Sequence, residues 1–294
     1  MHFGFVRELI EKAETESCSI GEVVKKEEAR SGEKSVAAIE DEMYTRWEIM
    51  VESFSKGLAI KQKSMGGLVG ENGILLEEYR KKGKSLSGDL LCKAAARAMA
   101  AAETNAAMGR IVASPTAGSC GIIPGTLSAV AENLESSKEE IVNALFAASG
   151  IGLVIGRKAS LAGATGGCQA ECGSAAAMVA AAIVELAGGT PAQAGEAVAL
   201  VLKNILGLVC DPVGGLVEVP CVKRNAAGAA LALLGSELAL AGIKSIIPVD
   251  EVIAVMGEVG KSLPVSLRET SRGGLAVSPT GLRLKSELMN NTLK

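Results

Sequence analysis

The sequence is poor in aromatic side chains, with four phenylalanines, two tyrosines and one tryptophan in 294 residues. A core short of rings and rich in Ala, Val, Leu and Gly suits closely packed helices better than a β-sandwich. Imidazole is scarcer still: His2 is the one histidine, so chemistry that needs an imidazole must draw it from another chain or do without. Charge of one sign is missing as well. The net charge of −3 gives no electrostatic case for binding nucleic acid or an anionic membrane surface. Long hydrophobic runs are lacking. Ile141 to Gly156, 16 uncharged residues broken by glycine, falls short of the roughly 20 needed to span a bilayer. The opening MHFGFVRELIEKAETE has charges every few residues and reads as no signal peptide, so the expected location is the cytoplasm.

Charge divides the chain. Residues 1–90 hold 31 charged side chains, whereas residues 141–243 hold 11. The expectation is one domain over 1–294, all-α or nearly so. Residues 1–90 would form a charged helical layer over a Gly- and Ala-rich core at 91–294. Amphipathic helices are predicted around Val6–Glu16 and Ala37–Lys56. The Ala-rich stretch Leu91–Met108 predicts another, stopped by Gly109. Ser137-Lys-Glu-Glu140 is a capping box opening a helix to about Gly150. Thr190-Pro191-Ala-Gln193 is a second box, with Gly207 as the stop. Further helices are expected at 173–187, 222–241 and 250–260. The best strand pattern, residues 215–220 (GLVEVP), is short.

Two phosphate-loop look-alikes fail on spacing. The Gly-Lys-Ser triplets at 83–85 and 260–262 have Glu78 and Val255 where a glycine is required. Gly150-Ile-Gly152 with Gly156 is one residue too long for a dinucleotide fingerprint and follows a helical pattern.

Seven cysteines without a secretory signal argue for thiols or metal ligands. Cys18 and Cys92 sit in ordinary helical contexts and are assigned no cofactor role. The others fall in three unusual segments: SPTAGSCGIIPG (114–125), GATGGCQAECGSAAAM (163–178) and VCDPVGGLVEVPCVKRNAAGAA (209–230). Each places cysteine in a Gly- or Pro-bearing loop beside a helix, where free N–H groups favour thiolate and glycines admit a bulky inorganic group. Spacing alone makes Cys168, Cys172, Cys210 and Cys221 a four-ligand set, with 168 and 172 one helical turn apart. The paired C-x-x-C knuckles of a structural zinc site are absent. Plain buried thiols remain the competing reading.

At these segments the sequence resembles, over essentially its whole length, the α subunit of the iron–sulfur-dependent L-serine dehydratase, an L-serine ammonia-lyase. The matching pieces include KSLSG (84–88), NAAMG (105–109), SPTAGSCGIIPGT (114–126), GGCQAECGSA (166–175), LKNILGLVCDPVGGLVEVPCVKRNA (202–226) and LRETSRGGLAVSPTG (267–281). The resemblance implies a mostly helical fold and a [4Fe-4S] cluster held by Cys168, Cys210 and Cys221. Cys172 is then a packing residue, and one iron is left free to polarise the serine hydroxyl. It also implies a separate β subunit in a hetero-oligomer, which would supply the base at the subunit interface. Ser64 with the Met65-Gly-Gly67 loop, Lys84, Asn105, Ser114 and Thr116 are the candidate holders of the small amino-acid substrate. Arg224 and Asn225 could support the cluster ligands. The rival readings are a related lyase acting on threonine or cysteine, a non-catalytic four-cysteine redox or iron sensor, and a structural helical subunit.

Overall fold

The computed structural model describes residues 3–292, so His2 lies outside the described residues. Thirteen α-helices form the described chain: α1 (Val6–Thr15), α2 (Ile20–Ser31), α3 (Val36–Ala59), α4 (Asn72–Lys81), α5 (Gly88–Ala106), α6 (Ile122–Asn133), α7 (Lys138–Lys158), α8 (Gly163–Gly166), α9 (Ser174–Leu186), α10 (Pro191–Lys203), α11 (Cys221–Leu240), α12 (Val249–Ser262) and α13 (Pro279–Thr292). No strand occurs among the described residues, so the all-α expectation holds. The 215–220 stretch, expected as the best strand, instead follows a 3₁₀ turn at Val213–Gly215 and continues as irregular chain. Its alternation is too short to build a sheet without a partner strand.

Caps set the helix starts. The hydroxyls of Ser19, Ser35, Ser137 and Thr190 accept hydrogen bonds from the N–H groups of Glu22, Ala38, Glu140 and Gln193. The boxes at Ser137 and Thr190 fall where the sequence placed them. α7, however, runs past Gly150 to Lys158. Gly150 and Gly152 lie against Val24 and Met178, and this close packing outweighs the poor helical propensity of glycine.

Two Ala-rich helices form the centre. In α9, every residue from Ser174 to Val184 is buried, packed between α7, α10 and α11. α5 is enclosed by α3, α4, α6 and α11. A Cβ at Gly57 of α3 would strike the Ala100 backbone, and one at Gly125 of α6 would strike Ala98. With little apolar area per alanine, cohesion comes from dense contact between backbones. The charged first helices join this same core: Val6, Leu9, Ile20 and Val24 cluster with Ile151, Val179 and Ile253.

The α7 and α9 segments are long and apolar enough to cross a membrane by length and composition. Here they are core helices, with 61% and 83% of their apolar windows buried inside the molecule.

Candidate metal centre

The chain around Cys168 is shaped by glycine. Gly167 adopts a left-handed φ of 76°, and a Cβ there would meet the Leu208 carbonyl and Leu263. Cys168 then leads into a single π-helical turn, Gln169–Gly173, which carries Glu171 and Cys172 before α9 begins. Such turns concentrate at functional sites because they re-aim side chains within a helix. Gln169 anchors the turn, its amide donating to the Met256 carbonyl at 3.0 Å and accepting from Gly207 N–H at 2.9 Å.

Cys210 sits past the end of α10 and forms a lone parallel bridge with Arg268. Its N–H donates to the Leu267 carbonyl at 2.9 Å, and its carbonyl accepts from Glu269 N–H at 2.7 Å. Cys221 is the first residue of α11. The four sulfurs converge from these separate segments on one cavity of about 250 Å³, also lined by Glu171, Glu269 and the Ala117-Gly118 turn. Cys18, Cys92 and Cys120 do not line it. Cys120 is fully buried elsewhere, its thiol pushed up to about 12 by burial.

The electrostatics of the thiols are uneven. The Cys172 thiol donates to the Cys168 sulfur and Arg224 adds positive charge, so Cys168 falls below the ordinary thiol value. Burial pushes Cys221 up to about 12, with Cys168 adding repulsion. Burial and the Glu171 carboxylate raise Cys210 further. The expected thiolate stabilisation by a helix N-terminus therefore does not govern Cys221, since desolvation at the head of α11 outweighs it. A donor set of this kind fits a polycationic group. Four thiols and two carboxylates face one small space, and without such an occupant most of the thiols are held protonated by burial and mutual repulsion.

Arg224 secures the assembly. Its guanidinium donates to the Val209 carbonyl at 2.8 Å and to Asp211 at 2.9 Å. Asp211 in turn accepts from Leu275 N–H at 2.7 Å, tying the Cys210 loop to the segment after α12. Asn225 accepts from Gly121 N–H at 3.0 Å and donates to the carbonyls of Gly118 and Cys221 at 2.8 and 2.9 Å.

The remaining candidates divide. Thr116 reaches the site, its hydroxyl donating to Glu171 at 2.8 Å. Asn105 supports it from behind, donating to the Ala117 carbonyl at 3.2 Å. Ser114 faces the other way, into a larger cavity of about 470 Å³ between α2, α3 and α7 that holds no cysteine. Ser64 is taken up by Glu218, to which its hydroxyl donates at 2.6 Å; Gly66 and Leu68 N–H groups bind the same carboxylate at 2.6 and 3.0 Å. The loop thus cradles a carboxylate of the protein itself. Lys84 is exposed in the α4–α5 turn and does not line the thiol cavity.

Glu171 and Glu269 were not singled out from the sequence. Glu171 had a signal, as a lone charge between two cysteines in a segment nearly devoid of charge. Glu269 had none, because only the long-range bridge to Cys210 brings it in.

The chain is similar to known proteins over nearly its whole length. A family model described as the serine dehydratase alpha chain matches residues 15–276. The chain is 50% identical over 291 residues to the probable L-serine dehydratase alpha chain of Bacillus subtilis (strain 168), covering 99% of this chain and 97% of that one. It is 43% identical over 283 residues to the L-serine dehydratase alpha chain of Peptoniphilus asaccharolyticus, covering 96% and 97%. The L-serine dehydratase of Helicobacter pylori (strain J99 / ATCC 700824) is 34% identical over 284 residues, which are 93% of this chain and 61% of that longer one.

Proposed function

We propose, from the premise that this chain belongs to the serine dehydratase alpha-chain family, that it deaminates L-serine to pyruvate and ammonia as a cytoplasmic lyase with a β partner chain. Residues 1–294 act as one catalytic domain. The observation that carries this reading is the convergence of Cys168, Cys210 and Cys221 on one cavity. These three would hold a [4Fe-4S] cluster. When bound, the cluster supplies a Lewis acid that makes hydroxide a better leaving group.

The chain's own residues supply the surroundings. With the Cys172 thiol donor, the positive charge of Arg224 favours the Cys168 thiolate, and Arg224 holds the Cys210 loop in place through Asp211. Asn225 fixes the Ala117-Gly118 turn against the head of α11. Thr116 orients the Glu171 carboxylate toward the cavity. No imidazole stands at the cavity among the described residues, which supports a base donated by the partner chain. The greater length of the Helicobacter pylori relative is consistent with a further part carried on the same chain there.

Cys172 shares the cavity, and that favours one second reading: a cluster with four thiolates and no open iron, serving as a redox or iron sensor. Mössbauer spectra of ⁵⁷Fe-reconstituted protein with its partner chain, taken with and without L-serine, separate the two. One iron in four that shifts on adding serine supports the lyase. Four equivalent irons indifferent to serine overturn it.

A further inference from the structure

The thiol cavity has an acidic side that cluster ligation does not use. Glu171 and Glu269 approach it from opposite segments, and their carboxylate oxygens lie with the Cys210 sulfur within 4.8 Å of one another. Glu171 is steered by the Thr116 hydroxyl at 2.8 Å and meets the Cys210 thiol at 3.7 Å. Glu269 is placed by its main chain, whose N–H is bound to the Cys210 carbonyl at 2.7 Å. Among the described residues no lysine or arginine pairs with either carboxylate. Of the nearby cations, Arg224 is committed to Asp211 and the Val209 carbonyl, and Arg268, next to Glu269 in the chain, forms no ion pair with either carboxylate.

Two carboxylates this close repel, and both retain free acceptor positions. A compact cation with several donors would complete them. A primary ammonium has that form, with three N–H donors on one charged centre. We infer that Glu171 and Glu269 together hold the α-ammonium of the amino-acid substrate beside the cysteine cluster. This rests on the functional reading above and adds which end of the substrate faces which wall. The ammonium lies toward Cys210 and the 269 segment. The enzyme accordingly selects for an α-amino group, since a substrate lacking one leaves the two carboxylates facing each other with no cation between them.

The test uses iron-loaded enzyme produced together with its partner chain, as wild type, Glu269→Gln and Glu171→Gln. It compares KM for L-serine with competitive inhibition by 3-hydroxypropanoate, which keeps the carboxylate and hydroxyl but lacks the ammonium. In Glu269→Gln, KM should rise about 10- to 100-fold, the range of a charge-assisted hydrogen bond. Inhibition by 3-hydroxypropanoate should stay the same or tighten, and Glu269→Asp should recover part of the loss. Glu171→Gln should behave alike. Equal weakening of both compounds, or a fall in kcat with KM unchanged, would overturn the inference while leaving the lyase reading intact. Wild-type enzyme inert toward L-serine would overturn both.

Discussion

Arg224 and Asp211 form a salt bridge at 2.9 Å in which the carboxylate is almost wholly buried, its side chain 3% exposed. This pair joins the head of α11 to the Cys210 loop, and Asp211 reaches on to the chain leading into α13. Breaking it leaves an uncompensated buried charge, which costs about 3–5 kcal/mol. Asp211→Ala is therefore expected to lower the thermal midpoint by roughly 5–15 °C and to reduce iron uptake with it. An unchanged midpoint by calorimetry would show that the bridge does not carry the site.

The cysteines should separate by iron content. After anaerobic reconstitution, Cys168→Ala, Cys210→Ala and Cys221→Ala should each lose most of the iron, whereas Cys172→Ala should retain it. Loss of the cluster from the Cys172 variant would favour the four-thiolate sensor instead. In metal-free protein, Cys172→Ala should also raise the pH at which Cys168 ionises, since its thiol donor is removed.

Glu185 makes stability depend on pH far from the thiols. Burial raises its carboxyl from 4.5 to about 7, against the opposing bond from Gly21 N–H and with Glu22 adding repulsion. The folded state thus holds this proton more tightly than the unfolded chain. Stability should fall as pH rises from about 4.5 to 7, by up to about 3 kcal/mol. Glu185→Gln should flatten that dependence and stabilise the protein at pH 8. Urea midpoints across pH 5–8 decide it, and a variant parallel to wild type would refute it.

Gly125→Ala should destabilise despite alanine's better helix propensity. The added methyl meets the Ala98 backbone on α5, which has no rotamer with which to yield. A cost of about 1–3 kcal/mol is expected from overpacking, read as a lower urea midpoint. A stabilised variant would mean that α5 and α6 can part without penalty.

Much of this was legible along the chain. Ser137 and Thr190 announced their helices because capping is local chemistry between residues three apart. Cys168, Cys172, Cys210 and Cys221 stood out because their Gly- and Pro-bearing loops break an otherwise monotonous helical composition, while the choice of three among them rested on the family resemblance. The end of α7 was misread at Gly150, since helix propensity gave no hint that Val24 and Met178 would pack there. The Ser64 loop is expected from the sequence to help hold the amino-acid substrate. It binds Glu218 from 154 positions away, and no local pattern names so distant a partner. Glu269 escaped for the same reason.

The bridge between Cys210 and Arg268 also bears on how the protein is made. Cys210's main chain pairs with residues 267 and 269, which follow every cavity cysteine in the sequence. During synthesis, all four cavity cysteines would leave the ribosome with the Cys210 loop still untethered. Translation must run on through residues 267–269 to deliver the segment that seats it. A chain truncated before residue 267 would carry all four cavity cysteines yet lack the main-chain partners that seat Cys210 among them.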